Sequence, residues 1–356
     1  MSIFKNSMKT YNESLTDRER EVLKYVVDNF ILNAVPVGSR SVSKQTDLNL
    51  SAATIRNVMS DLEEMDLLKT PHTSAGRIPT DKGYRYYVDI LMNKEKLSLS
   101  DEYALKSQFD EKNLNILENQ DLYVEASRIL GKISHLLAVV SQPQISKGIF
   151  EKFEFVKISS NKLLVVLYIK SGLVKTVIME IDSDILKSKL ENMAVFLNER
   201  LQGLTLKEIR ETFIERLCDF NDMDSDLIQV FIRSLDKLYT EEEKGSKIYF
   251  GGTGELILQP EFENPKNFKE IIELAEDKNL VIHIFENSFR EDNKVLISIG
   301  NENPDLKLKN YSVITTTYNV GDIKGNIGVI GPKRMNYARM VSLLQYTSKL
   351  INEIAG

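Results

Sequence analysis

The chain has 356 residues, 42% hydrophobic and 28% charged, the balance of an ordinary soluble globular protein of two or three domains. Its single cysteine, Cys218, excludes an intramolecular disulfide and a cysteine-rich zinc site, and its longest clear apolar run, 163–169, is far too short to span a membrane. The net charge of −6 speaks against a partner held by bulk positive charge, so any nucleic acid must be read by local geometry.

Residues 1–14, MSIFKNSMKTYNES, have no apolar core of a secretory signal, and a cytoplasmic location is expected. Thr16-Asp17-Arg18-Glu19 has the spacing of a capping box: a hydroxyl at the cap and Glu three residues on. Val22, Leu23, Val26, Val27, Phe30 and Ile31 then form the buried stripe of a first helix. Pro36-Val37-Gly38 breaks the chain, Ser39 is placed to cap a second helix over 40–46, and residues 47–50 form a turn.

The most informative stretch is 50–87, LSAATIRNVMSDLEEMDLLKTPHTSAGRIPTDKGYRYY. Ser51 caps a helix whose inner stripe is Ile55, Val58, Met59, Leu62 and Met65. Its opposite face carries Ala53, Asn57 and Ser60 flanked by Thr54 and Arg56, with Asp61, Glu63 and Glu64 only in the later turns. An ordinary amphipathic helix with a short polar face would also fit. Small residues permit close approach, however, and Arg and Asn can contact guanine and adenine edges bidentately. A bare N-terminal half with an acidic rear suits insertion into a groove. Two short extended runs, 67–71 and 77–80, follow around the turn-rich tip 72–76, and Thr80 is placed to cap the next helix. Helix, polar-tipped hairpin and helix make a winged helix-turn-helix. The residues up to Met92 hold twelve Lys and Arg against twelve Asp and Glu, so this head is neutral and the remainder carries the whole −6.

The runs ATIRN and PHTSAGRIPT, the upstream stretch 15–40 and the distant segment 321–335, with Ile327-Gly328-Val329-Ile330-Gly331-Pro332 before Arg334-Met335, together resemble the heat-inducible transcription repressor HrcA family over nearly the whole chain. One departure is Asp66, where the family usually carries Gly; Asp tolerates a left-handed backbone, so the turn is expected to survive. The resemblance implies a dimeric repressor that binds an inverted-repeat operator upstream of chaperone operons, with activity maintained by the GroEL chaperonin. The expected DNA contacts are Ser39, Arg40, Lys44, Ser51, Ala53, Thr54, Arg56, Asn57, His72, Thr73, Ser74 and Arg77. Arg56 and Asn57 are assigned to base reading, Arg40 and Lys44 to phosphates, and Arg77 mainly to positioning the wing.

Beyond the head, 95–118 reads as a polar linker and the start of a helix that continues to Leu137. Strand texture occupies 153–158, 163–169 and 174–181, then three amphipathic helices are expected over 184–202, 205–220 and 225–242. A small hairpin is expected around Gly251-Gly252-Thr253-Gly254, a helix over 268–278, an ambiguous run over 280–286, strands over 295–299, 311–318 and 323–330, and a closing helix. The fold class is α+β and multidomain. The expected domains are a winged-helix domain (1–92), a linker helix with the first part of a GAF-like α/β domain with an antiparallel sheet (93–183), an inserted, mainly helical dimerising domain (184–278) and the second part of the GAF-like domain (279–356). The strands 163–169 and 311–318 are expected to meet across the insertion.

No enzyme, cofactor or metal is indicated. Gly251-Gly252-Thr253-Gly254 lacks the phosphate-loop pattern and reads better as a turn, and nothing resembles a nucleophile elbow or kinase loop. His135 and His283 are expected to be partly buried structural groups, Cys218 to be packed in a helix, and His72 to open the wing tip. The alternative of another class is a small-molecule-sensing regulator that uses the GAF-like domain as a pocket. It rests on fold analogy.

Overall fold

The computed structural model describes residues 15–45, 50–71, 76–93, 95–111, 119–181, 187–217, 233, 247–286 and 294–355. The chain folds as two compact units, one of Met1–Val140, Tyr249–Thr317 and Asn326–Leu350, the other of Ser141–Ile248, Tyr318–Gly325 and Ile351–Gly356.

The first unit opens with the winged helix. Helix α1 (Asp17–Asn33) starts at the expected capping box, with the Thr16 N–H donating to Glu19 Oε2 at 2.7 Å and the Glu19 N–H donating to Thr16 Oγ1 at 3.3 Å. It stops at Ala34, which adopts a left-handed conformation. Helix α2 (Ser39–Gln45) begins one residue early. The Gly38 carbonyl accepts the N–H groups of Ser41 and Val42, so Ser39 lies in the first turn instead of at the cap. Helix α3 (Ala52–Glu64) is capped by Ser51, whose Oγ accepts from the Thr54 N–H at 3.1 Å. Val22, Leu23, Val26 and Val27 of α1, Val42 of α2 and Ile55, Met59 and Leu62 of α3 are fully or almost fully buried, each contributing about 1.5–3 kcal/mol on the transfer scale.

Strands β1 (Leu68–Lys69) and β2 (Ile78–Pro79) pair antiparallel as Leu68↔Pro79 and Lys69↔Ile78. Asp66 carries a φ of 58°, so the turn after α3 keeps the left-handed geometry expected of it. Thr80 caps helix α4 (Asp81–Tyr86), which runs on as a π-turn, Tyr87–Leu91. Gly83 is required where α4 crosses the wing, because a Cβ there would lie 2.0 Å from the Leu67 carbonyl oxygen. Tyr87 donates to Asp28 Oδ1, and burial together with that carboxylate raises the phenol well above its ordinary range, so it stays a donor.

The same unit continues through helices α5 (Leu99–Glu111) and α6 (Asn119–Ser134) into strand β3 (Leu137–Ser141). The region read as a polar linker is therefore partly anchored: Leu105 and Phe109 are buried, and Asp101 accepts two hydrogen bonds from the Arg339 guanidinium at 2.9 and 3.0 Å. Helix α6 ends at Ser134 instead of reaching Leu137, because His135 is left-handed at φ 55° and Leu137 already belongs to a strand.

The second unit contains strands β4 (Phe150–Ser159), β5 (Lys162–Ile169) and β6 (Val174–Glu180) in a three-stranded antiparallel sheet of order β4-β5-β6. Helices α7 (Lys187–Leu201) and α8 (Leu206–Leu217) close one face, and Phe150, Phe153, Leu163 and Leu167 share a core with Leu190, Met193, Leu197 and Leu201. The expected third helix, 225–242, lies outside the described residues apart from Arg233, and Cys218 lies outside them too.

Strand β7 (Ile248–Gly251) forms the edge of a five-stranded sheet in which β8 (Leu296–Ile299), β9 (Tyr311–Val320) and β10 (Ile323–Pro332) complete the order β7-β3-β10-β9-β8. Strand β3 pairs antiparallel with β10 across almost two hundred residues, Leu137 opposite Ile330 and Val140 opposite Ile327. The expectation of one interrupted sheet is thereby corrected. Residues 163–169 belong to the three-stranded sheet and 311–320 to the five-stranded one, so they do not meet. The reason is local closure: β4, β5 and β6 are joined by short turns and buried by the two helices that follow directly.

The GGTG stretch is not a hairpin, since 255–258 forms a 3-10 turn. Its glycines serve backbone contact, a Cβ on Gly251 lying 2.0 Å from the Ser127 carbonyl oxygen of α6. Helices α9 (Pro265–Glu276) and α10 (Lys278–Glu286) follow, which resolves 280–286 as helix, and α11 (Tyr337–Ala355) closes the chain. His135 and His283 are exposed, contrary to expectation. His135 sits at a helix end in a left-handed turn, and His283 lies on the outer side of α10 between the buried Val281 and Phe285. No described helix is long and apolar enough to cross a membrane.

Candidate nucleic-acid interface

The outer face of α3 is open. Ser51, Ala53, Thr54, Arg56, Asn57 and Ser60 are exposed while Ile55 and Met59 between them are buried. Among the described residues neither Arg56 nor Asn57 has a side-chain hydrogen-bond or ion-pair partner, so both guanidinium and amide keep their full complement of donors and acceptors. On α2, Arg40 and Lys44 are exposed and Ser39 is half-buried. The wing tip residues His72, Thr73 and Ser74 and the turn residues 46–49 lie outside the described residues.

This geometry, a capped helix with a bare N-terminal face beside a two-stranded wing, coincides with what the comparisons find. Residues 14–93 match the winged helix-turn-helix transcription repressor HrcA DNA-binding model, and residues 120–341 match the HrcA protein C-terminal domain model. The heat-inducible transcription repressor HrcA of Prosthecochloris aestuarii is 40% identical over 345 residues, covering 95% of this chain and 96% of that protein. That of Chlorobium phaeobacteroides strain BS1 is 39% identical over 338 residues, covering 93% and 96%. The chain belongs to the HrcA family of heat-inducible transcription repressors. A crystal structure of a hypothetical protein at 2.2 Å resolution shares the fold, with a TM-score of 0.56 at 23% identity over 96% of this chain and 98% of that one. This HrcA family member is thus a heat-shock transcription repressor with a DNA-binding winged helix, a non-enzymatic function.

Within the repressor's wing, Arg77 has a structural engagement. Its guanidinium lies 2.8 Å from Glu63 Oε2, and its backbone exchanges two hydrogen bonds with Val37 at 2.8 and 2.9 Å. The Pro36-Val37-Gly38 break thus joins the two-stranded wing through one isolated antiparallel bridge at Val37. Glu63, set aside in the sequence as part of an acidic rear, is a clamp: its Oε1 accepts from the Thr70 N–H at 3.0 Å and the Thr70 hydroxyl at 2.7 Å, while Oε2 holds Arg77. The observed hairpin register explains the clamp, since extending Lys69↔Ile78 by one residue sets Thr70 opposite Arg77. Glu63→Ala strips the acceptor from three donors and should lower folding stability by about 1–2 kcal/mol in urea titration. An unfolding midpoint equal to the wild type would remove Glu63 from the wing's support.

Proposed function

We propose that the chain represses chaperone operons in the cytoplasm by binding, as a homodimer, an inverted-repeat operator upstream of them, and that the GroEL chaperonin maintains its activity. The observation that carries the DNA reading is the open outer face of α3, with Arg56 and Asn57 in its first turns and Arg40 and Lys44 exposed on the helix before it. In this reading Ala53 and Thr54 allow close approach, Ser39, Arg40, Lys44 and Ser51 face phosphates, and the wing with His72, Thr73, Ser74 and Arg77 lies along the backbone.

One chain supplies one head, whereas an inverted repeat needs two, about 34 Å apart or a multiple of it. Whereas the sequence places dimerisation in the insertion over 184–278, the surface proposed for the second copy lies on the three-stranded sheet of the second unit, ahead of that span. The face of that sheet turned away from α7 and α8 carries exposed Val156, Ile158, Val174 and Ile178. The chaperonin reading draws on the family and on topology. A sheet that joins β3 to β10 folds slowly and exposes apolar strands meanwhile, as a chaperonin client does.

Footprinting upstream of the host's chaperonin genes tests operator binding, with two protected half-sites expected. Titration with saturating operator then separates active fraction from affinity. Chaperonin with ATP should raise the active fraction and leave the dissociation constant unchanged. A sharpened constant at unchanged fraction would make the chaperonin a corepressor.

A further inference from the structure

The winged helix does not hang from a tether; it is bolted to the rest of its own unit at three points, two of them ion pairs and the third a guanidinium on a backbone carbonyl. At the first, Arg85 of α4 donates through Nε to Glu302 Oε1 at 2.8 Å and through Nη2 to the Ile297 carbonyl at 2.6 Å, while Nη1 bonds Asp89 at 3.2 Å. At the second, Asp81 at the start of α4 accepts from Lys333 Nζ at 2.6 Å and from both the N–H and the side-chain amide of Asn301 at 3.1 and 3.0 Å. At the third, Arg334 donates to the Ile31 carbonyl at the end of α1 while holding Glu261 at 2.7 Å. Between them the buried rings of Tyr84 and Tyr337 meet with centroids 6.0 Å apart. The Arg85, Asp81 and Arg334 side chains are each less than a quarter exposed, so these are geometrically constrained, partly desolvated pairs, unlike free surface ion pairs.

All of these contacts come from α4 and the end of α1. None uses α3, whose outer face stays open. Docking and base reading can therefore occur together. A head held at three separate points is fixed in one orientation on its own unit.

We infer that Asp81, Arg85 and Arg334 are positioning residues for operator binding: they fix the reading head on the body in the orientation that two half-sites of one spacing demand. The spacing part of this inference rests on the dimeric, inverted-repeat reading; the docking part does not.

The test uses the full chain and changes only the body side, Glu302→Arg with Lys333→Glu, which leaves every winged-helix residue in place. Spin labels on Glu21→Cys and Gln345→Cys, in a Cys218→Ser background diluted with unlabelled protein, report the head-to-body distance. The wild-type ion pairs should give one narrow distance, the body variant a broad distribution, and the complementary exchange Arg85→Glu with Asp81→Lys in that variant should restore the narrow one. On DNA footprinted upstream of the host's chaperonin genes, the body variant should keep its affinity for an isolated half-site and lose about tenfold or more on the paired operator. Its dependence on spacer length should flatten, and the exchange should recover both. A wild-type distance that is already broad, or a body variant with unchanged distance and spacing preference, overturns the inference. Tighter operator binding by the body variant would overturn it in the other direction, as docking would then be inhibitory. A wild-type protein that sediments as a monomer and binds paired and single half-sites alike would sink the dimer reading, while the distances would still decide the docking.

Discussion

Val156→Glu combined with Ile178→Glu should convert the repressor to a monomer by sedimentation and weaken paired-operator binding about 10²- to 10⁴-fold, the range lost when two linked binding events become independent. Both residues flank Leu164 across the three strands, Val156↔Leu164 on one side and Leu164↔Ile178 on the other, so two carboxylates would stand on one apolar row. Each is about half exposed, at 47% and 55%, so a charge there is tolerated in the isolated chain and penalised only when a second copy covers it. The folded state should survive, with an unchanged unfolding midpoint at high dilution. Affinity for a single half-site should also be preserved. A double variant that remains a stable dimer and binds the paired operator like the wild type would move the interface off this sheet.

Asn57→Ala should cost roughly 1–3 kcal/mol on the cognate operator and relax the base preference at the position it reads. Its amide is exposed at the second turn of α3 with no partner among the described residues, so its removal takes nothing from the fold. Arg56→Ala should behave alike at a neighbouring position. Arg77→Ala should behave differently: it frees Glu63 and loosens the wing, so binding should weaken with little change in preference. Comparing cognate with singly mismatched operators in competition titrations separates the two patterns. An Asn57→Ala protein with an unchanged ratio between cognate and mismatched sites would remove Asn57 from base reading.

Local chemistry made the reading head legible in the sequence. Thr16, Ser51 and Thr80 cap the helices they were expected to cap, because a hydroxyl that satisfies a nearby N–H needs only its own neighbours in the chain. The three- and four-residue spacing of Ile55, Met59 and Leu62 turned Arg56 and Asn57 outward for the same reason. Asp66 holds the left-handed turn it was expected to hold. The motifs ATIRN and PHTSAGRIPT carry the family resemblance in the sequence alone.

What the sequence left open depends on partners far along the chain. Runs such as 163–169 and 311–320 have the same β texture, and periodicity carries no information about which strands pair, so their assignment to different sheets was settled by burial against α7 and α8 on one side and by β3 against β10 on the other. His135 reads as a partly buried group because apolar neighbours surround it in sequence; at a left-handed helix end it is exposed instead. Nothing in the local sequence singles out Arg85 and Asp81, whose partners lie more than two hundred residues away, at Glu302, Asn301 and Lys333. Local residue spacing could present the open outer face of α3. Only the tertiary packing, by bringing those distant charges together in partly dry contacts, could decide how that face is held.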